Sequence, residues 1–418
     1  MKHDVLLDYE LTTARDGFVV RALLTLEGQA PADAARAPLN LALVLDRSGS
    51  MGGVKSAAAR EAATFLLRRL APEDAVALIA YDDVVDTVGS VGNGTTVADL
   101  ARMVALIAPG GSTNLSGGWL RGRELVAAAK RDQRVNRVIL LTDGQANAGI
   151  IDREQLTGLA ATAKRNGVTT TTIGFGADYD EQLLRAMADA GGGNPYYIEQ
   201  PDQAPGVFEE EIEGLLSLAA QNVSVEIRPG ADARFVRVWH DYPVSVANGA
   251  SRVEIGDIYG REPKSILIEF LVPSIATNGR VDIGEVVIDA HVLTAEGGVD
   301  HQRVTMPIGA PLSPEGNAEP AVRHEMLLVR AAGAREEALR REQMGDAAGA
   351  ADALRRMASE LALGGTPTTL EQAADLRIVA EKIEARSFDA ADAKYMAQRA
   401  YNTHRAKATY EDKLRRGR

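Results

Sequence analysis

The stretch Leu41-Ala42-Leu43-Val44-Leu45-Asp46-Arg47-Ser48-Gly49-Ser50-Met51 decides the fold, because a continuous apolar run ends abruptly in acidic and hydroxyl side chains. Three further apolar runs follow it along the chain, at residues 76–80, 138–141 and 169–173. Segments with helical spacing lie between the runs, at residues 54–70, 114–129 and 153–165. Continuous apolar strands that alternate with helices are typical of a parallel sheet covered on both faces. The pattern predicts a doubly wound α/β domain over residues 39–205, with a last helix that extends to about residue 218.

The flanking segments alternate between apolar and polar residues, as half-exposed antiparallel strands do. Such alternation occurs at residues 5–11, 18–26, 223–227, 235–239, 266–270 and 286–293. We expect residues 1–38 and 219–310 to form one β-sandwich of roughly seven strands or more, into which the α/β domain is inserted. Residues 315–418 are rich in Ala, Glu, Arg and Leu, and predict a C-terminal helical domain of about three or four helices.

The composition is that of a folded, acidic protein. The chain has 418 residues, of which 45% are hydrophobic and 25% charged, with a formal charge of −12 and no cysteine. The acidic charge argues against a general nucleic-acid binder, and the lack of cysteine excludes disulfides and thiolate metal sites. Acidic residues near the start and the lack of any apolar run of about 18 residues predict a cytoplasmic protein without a membrane span.

Polar side chains lie where predicted strands end or a predicted helix begins. Since the carboxyl ends of neighbouring parallel strands border one crevice, Asp46 and Asp143 are expected to face each other there. The hydroxyls of Ser48, Ser50 and Thr113 are expected to join them. Two such carboxylates repel each other unless a cation lies between them. Oxygen ligands with retained waters suit Mg²⁺ best; Mn²⁺ is plausible, and Ca²⁺ less so because few carboxylates ligate directly.

Segment 39–205 resembles a von Willebrand factor type A domain, a Rossmann-like fold, with an intact metal-ion-dependent adhesion site. The five positions that match the motif in its three loops are Asp46, Ser48, Ser50, Thr113 and Asp143. The resemblance implies that the hydroxyls ligate the metal directly, that the aspartates often act through water, and that a partner's acidic side chain supplies a further ligand. It also suggests a standalone bacterial protein that acts with a MoxR-type AAA+ ATPase.

The residues themselves predict a similar mechanism. A metal whose protein ligands carry at most two negative charges stays electrophilic and leaves room for an anionic ligand. We therefore expect a non-enzymatic, divalent-metal-dependent module for protein–protein interaction. The rim of the site is expected to set its specificity, through Arg47, Met51, Asn114, Gln145 and Asn147.

Two alternatives remain open. The same site suits a metal-dependent hydrolase or phosphatase, although residue 48 is Ser where one phosphatase type needs a second carboxylate, and no histidine lies within residues 39–205. The second alternative is a nucleic-acid or acidic-surface binder that uses the last helix, predicted from about residue 389 to 413. Residues 394–418 carry eight basic side chains against two acidic ones, but aromatic residues for base stacking are limited to three tyrosines.

Overall fold

The computed structural model describes residues 1–9, 17–29, 36–91, 95–131, 134–176, 179–260, 262–273, 281–294, 299–309 and 316–407. The chain divides into two compact units. We call Ala30–Leu218 with Leu293–Asp300 the α/β unit. Met1–Gln29, Ala219–Val292 and His301–Arg418 form the sandwich–helix unit.

Strands alternate with helices in the middle of the chain, strands alone occur on either side of this region, and helices alone follow toward the C-terminus. The strands are β1 (Lys2–Tyr9), β2 (Phe18–Glu27), β3 (Leu39–Asp46), β4 (Ala75–Tyr81), β5 (Val85–Ser90), β6 (Val135–Thr142), β7 (Thr169–Phe175), β8 (Gly192–Ile198), β9 (Leu218–Pro229), β10 (Arg234–Val238), β11 (Val244–Ala247), β12 (Ala250–Tyr259), β13 (Pro263–Val272), β14 (Gly284–Leu293) and β15 (Val299–Ile308). The helices are α1 (Val54–Arg68), α2 (Val97–Ala105), α3 (Leu115–Ala128), α4 (Arg153–Arg165), α5 (Glu181–Gly191), α6 (Ala204–Leu216), α7 (Pro320–Gln343), α8 (Ala347–Leu363), α9 (Pro367–Glu384) and α10 (Ala390–His404).

The α/β unit is built on a six-stranded sheet in the order β5-β4-β3-β6-β7-β8. Every pairing is parallel except that of the edge strand β5 with β4. The chain runs from β3 to β4 on one side and later returns to β6 on the other. The carboxyl ends of β3 and β6 therefore lie side by side at the point where the strand order reverses, which is where α/β sheets bind ligands.

Helices cover both faces of this sheet, as the continuous apolar strands predict. Ala42 and Val44 share a core with Trp119 of α3 and Leu156 of α4. Leu43 points to the opposite face and is also fully buried. Strand β3 is consequently buried along its whole length, so its last residue lies at the floor of a crevice and not on an open surface.

The sandwich–helix unit contains two antiparallel sheets, in the orders β1-β2-β13-β10 and β11-β12-β9-β14-β15. The N-terminal strand β2 pairs with β13, with Phe18 opposite Val272. Leu24 of β2 and Val225 of β9 belong to one hydrophobic core shared by both sheets. The predicted sandwich of N-terminal and later strands is thus present in the structure.

The predicted C-terminal helices, α7 to α10, share a hydrophobic core and belong to the same compact unit as the sandwich. Leu23 and Leu267, on the face of the four-stranded sheet opposite its core, pack against Val322 of α7. His240 also contacts α7, with Nε2 3.0 Å from Glu325 Oε1. Packing of α7 on the sheet joins the two parts.

The basic end of the chain is only partly described. Helix α10 ends at His404, and residues 408–418, with half of the predicted basic side chains, lie outside the described residues. Arg405 is buried, with its guanidinium over the rings of Tyr242 and Tyr401. This side chain packs within the unit, so it is not available to an acidic partner. In the described part of the chain, no helix has the length and apolar character needed to cross a membrane.

Candidate metal centre

Asp46 is held by hydrogen bonds at both carboxylate oxygens. Its Oδ1 accepts a hydrogen bond of 2.7 Å from the backbone N–H of Ser48, two residues along the same loop. Its Oδ2 accepts one of 2.6 Å from the hydroxyl of Thr142, at the end of the neighbouring strand β6. The carboxylate is 4% exposed and therefore has a fixed orientation at the end of β3.

The serine hydroxyls connect the Asp46 loop to Asp143. Ser50 Oγ donates a hydrogen bond of 2.7 Å to Asp143 Oδ1. Ser48 Oγ lies 3.2 Å from Ser50 Oγ. The three oxygen atoms form a continuous polar path from the loop after β3 to the loop after β6.

Thr113 brings the second predicted loop to the same place. A Cβ placed on Gly144 would lie 3.3 Å from Thr113 Oγ1 and 3.7 Å from Ser50 Oγ, so these two hydroxyls flank the residue after Asp143. The backbone N–H of Gly49 donates to the carbonyl of Gly111 at 3.0 Å, which ties the first loop to the second. Within the described residues, the Thr113 hydroxyl makes no hydrogen bond, which leaves its oxygen available to a ligand.

The electrostatics of Asp46 favour a cation. Burial raises the pKa of Asp46, the charge of Asp143 raises it further, and hydrogen bonds from Ser48 and Thr142 act against both. No cationic side chain pairs with Asp46 in the described ranges. Asp143, by contrast, pairs with Lys55 at 2.5 Å. A buried carboxylate without a counter-charge is costly, and a bound metal ion removes that cost.

The donor set fits a hard divalent cation. All five predicted ligands supply oxygen, from two carboxylates and three hydroxyls, and this is the chemistry that Mg²⁺ and Ca²⁺ prefer. Nowhere among the residues that the structure describes do three or more His, Cys, Asp or Glu side chains form a group able to hold a metal. The hydroxyls are therefore essential to any metal site at this position.

Three of the predicted rim residues have structural roles. Met51 is fully buried, so its predicted contact with a partner is wrong: the short 3₁₀ turn at Gly49–Met51 directs this side chain into the core. Asn114 caps α3, its Oδ1 accepting from Gly117 N–H at 2.9 Å. Asn147 Oδ1 accepts from the backbone N–H of Thr113 at 2.8 Å and so holds the second loop in place.

The other two predicted rim residues, Arg47 and Gln145, differ in whether ion pairs restrain the side chain. Arg47 is bound by Asp82 at 3.2 Å and by Asp86 at 2.7 Å. Gln145 is exposed beside the site. Sequence reasoning missed both Thr142 and Lys55. Thr142 directly precedes Asp143 and could have been found from that position, whereas the contact of Lys55 depends on how α1 packs.

Comparison with known proteins identifies the domain that carries these residues. The family model of the von Willebrand factor type A domain matches residues 40–210. An uncharacterised protein of Synechocystis sp. is 29% identical over 265 residues, which are 60% of this chain and 61% of that protein. The chain spans less than two thirds of the length of the first curated relatives that it matches.

Two solved structures share the fold over most of the chain. A von Willebrand factor type A protein from Catenulispora acidiphila has a TM-score of 0.69 and 19% identity, covering 90% of this chain and 96% of that one. The ArnB paralog VWA2 from Sulfolobus acidocaldarius has a TM-score of 0.60 and 16% identity, covering 96% and 97%. Residues 40–210 of this chain form a von Willebrand factor type A domain.

Proposed function

We propose that the α/β unit is a divalent-metal-dependent module for protein–protein interaction. The observation that carries the proposal is the hydrogen bond from Ser50 to Asp143 Oδ1, which joins two loops 93 residues apart in the sequence. With Ser48 and Thr113 alongside, oxygen atoms from three loops meet at the carboxyl end of a parallel sheet.

The metal we propose is Mg²⁺, held by Asp46, Ser48, Ser50, Thr113 and Asp143. When bound, it supplies a Lewis-acid site for an anionic ligand. Backbone and side-chain hydrogen bonds fix the loops before the metal arrives, so that little reorganisation opposes binding. An acidic side chain of a partner protein is the ligand we propose, because a carboxylate makes a strong, oriented contact with such an ion.

The surface around the site is open to a protein partner. The exposed residues of the three loops include Gly49, Ser50, Gly111, Ser112 and Gln145. Small side chains predominate, so a carboxylate on a short loop or helix end can reach the metal. A MoxR-type AAA+ ATPase is the first candidate partner, on the basis of the family resemblance. We propose binding without catalysis because residues 39–205 contain no histidine to act as a general base.

Affinity capture with calorimetry tests the proposal. The full chain is used as bait with Mg²⁺ or with EDTA, beside Ser48→Ala and the control Ser90→Ala, an exposed serine on the edge strand. We expect wild type and the control to bind Mg²⁺ and, with Mg²⁺ present, to retain a set of proteins. Ser48→Ala should lose both the Mg²⁺ binding and the retained proteins. Retention that is the same in EDTA and in Ser48→Ala would contradict the proposal.

A further inference from the structure

Asp143 is held between two different groups, one on each carboxylate oxygen. Ser50 Oγ lies 2.7 Å from Oδ1, on the side of the other predicted ligands. Lys55 Nζ lies 2.5 Å from Oδ2. The Asp143 side chain is fully buried, whereas that of Lys55 is 29% exposed. The ammonium group is therefore a permanent neighbour of a buried predicted ligand.

Lys55 contacts the Asp143 oxygen that Ser50 does not bond. It lies in the first turn of α1, and a Cβ placed on Gly176 would be 3.5 Å from its Nζ. Gly176 directly follows β7, whereas Ser48 and Ser50 follow β3, on the other side of β6. The ammonium group thus lies against a different carboxylate oxygen and a different strand end from the hydroxyls, and we expect a metal ion and Lys55 to be present together.

We infer that Lys55 is a resident counter-cation that weakens metal binding and makes it depend on an anionic ligand. The inference rests on the proposed function. Asp46 and Asp143 carry two formal negative charges, and Lys55 cancels one of them. A dication at the site then keeps a net positive charge. Metal and carboxylate each favour the binding of the other, and this coupling is reciprocal.

A purely structural role for Lys55 predicts the opposite result. If the ammonium group only positions Asp143, its removal loosens a predicted ligand and lowers metal affinity. If its charge opposes the metal, removal raises the affinity. Even at the dielectric constant of water, a single positive charge about 6 Å from a dication weakens binding about tenfold at low ionic strength. The sign of the change therefore separates the two roles.

Titration of the full chain with Mn²⁺, followed by electron paramagnetic resonance, tests the inference. The variants are Lys55→Met, the charge-preserving Lys55→Arg, Ser48→Ala and the control Lys130→Met, whose ammonium group bonds the Asn166 carbonyl 2.9 Å away. We expect Mn²⁺ to bind Lys55→Met about tenfold or more tightly than wild type, and the other two lysine variants within about twofold of it. Added acetate should tighten Mn²⁺ binding more in wild type than in Lys55→Met.

The outcomes distinguish this inference from the proposed function. Unchanged or weaker Mn²⁺ binding by Lys55→Met, in a protein whose circular dichroism matches wild type, overturns the role of Lys55. If Ser48→Ala loses binding in the same series, the metal site itself stands. Absence of saturable Mn²⁺ binding in both wild type and Lys55→Met overturns the metal site and the inference together.

Discussion

Arg137 and Glu211 form an ion pair of 3.0 Å in which both side chains are excluded from solvent, at 0% and 1% exposure. Arg137 lies on β6, and Glu211 on α6, the last helix of the α/β unit. Glu211 also accepts hydrogen bonds from Thr171 at 2.6 Å and from Asn194 at 3.2 Å. A single carboxylate thus connects α6 to three adjacent strands of the sheet that carries the candidate metal site.

Replacing Glu211 with Gln should strongly destabilise the α/β unit. The change removes the carboxylate that pairs with the buried Arg137, and breaking a buried pair in this way costs about 3–5 kcal/mol. The matched control is Glu209→Gln on the same helix, whose exposed pair with Arg69 contributes about 1 kcal/mol or less. Denaturation followed by the fluorescence of Trp119, in a Trp239→Phe background, measures both. Equal losses of stability in the two variants would show that the buried pair stabilises the fold no more than the exposed pair does.

The contribution of Glu211 should also depend on pH. Burial by itself raises the pKa of this carboxyl, but Arg137 and the hydrogen bonds from Thr171 and Asn194 outweigh it and hold the pKa below the ordinary 4.5. Because the folded pKa is lower than the unfolded one, the stabilisation is present above pH 4.5 and is lost as the pH falls through the folded value. The stability gap between wild type and Glu211→Gln should therefore narrow below pH 4.5. A stability difference between the two proteins that grows as the pH falls would contradict a lowered pKa for Glu211.

Thr142→Val should weaken metal binding while leaving the fold intact. The Thr142 hydroxyl donates to Asp46 Oδ2 at 2.6 Å, and valine fills nearly the same volume without a donor. Loss of a partner that orients a metal ligand typically reduces affinity about 10–100-fold. The control is Thr172→Val, a buried threonine on β7 whose hydroxyl bonds the carbonyl of Leu184 at 2.9 Å. Calorimetric titration with Mg²⁺ compares them, and equal affinities would show that Thr142 does not orient Asp46.

The elements that the sequence predicted are those with a strong periodic pattern. Strands β3, β4 and β6 are almost entirely buried and each contains an apolar run of at least four residues, whereas the equally buried β7 is mostly threonine. The edge strand β5 is largely exposed, and β8 contains two glycines and Pro195, so neither carries such a pattern. Proline and glycine are tolerated at a sheet edge, where fewer backbone hydrogen bonds are needed. These two strands are placed by their pairing with β4 and β7, which their own sequences do not reveal.

The candidate site likewise has a part that the sequence predicted and a part that it did not. Its five predicted ligands come together because chain topology alone places strand ends next to each other. The directions of the Met51 and Lys55 side chains depend on tertiary packing, which the sequence pattern does not predict. Met51 turns into the core, and Lys55 turns toward Asp143. Reasoning from the sequence therefore predicted which side chains come together, and it missed the lysine that pairs with one of them.

The close approach of α3 to the sheet should make Gly122 irreplaceable. A Cβ at this position would lie 2.6 Å from Val44 Cγ2, so Gly122→Ala must push α3 away from β3. We expect a loss of about 1–3 kcal/mol in stability. Metal affinity should fall as well, because Thr113 lies just before α3 and moves with it. Gly158→Ala in α4 is the matched control: nothing lies within 4 Å of its added Cβ, and alanine should stabilise the helix by about 1 kcal/mol. Denaturation measures the change in stability of each variant. Changes of opposite sign support the packing argument, and stabilisation by both substitutions would refute it.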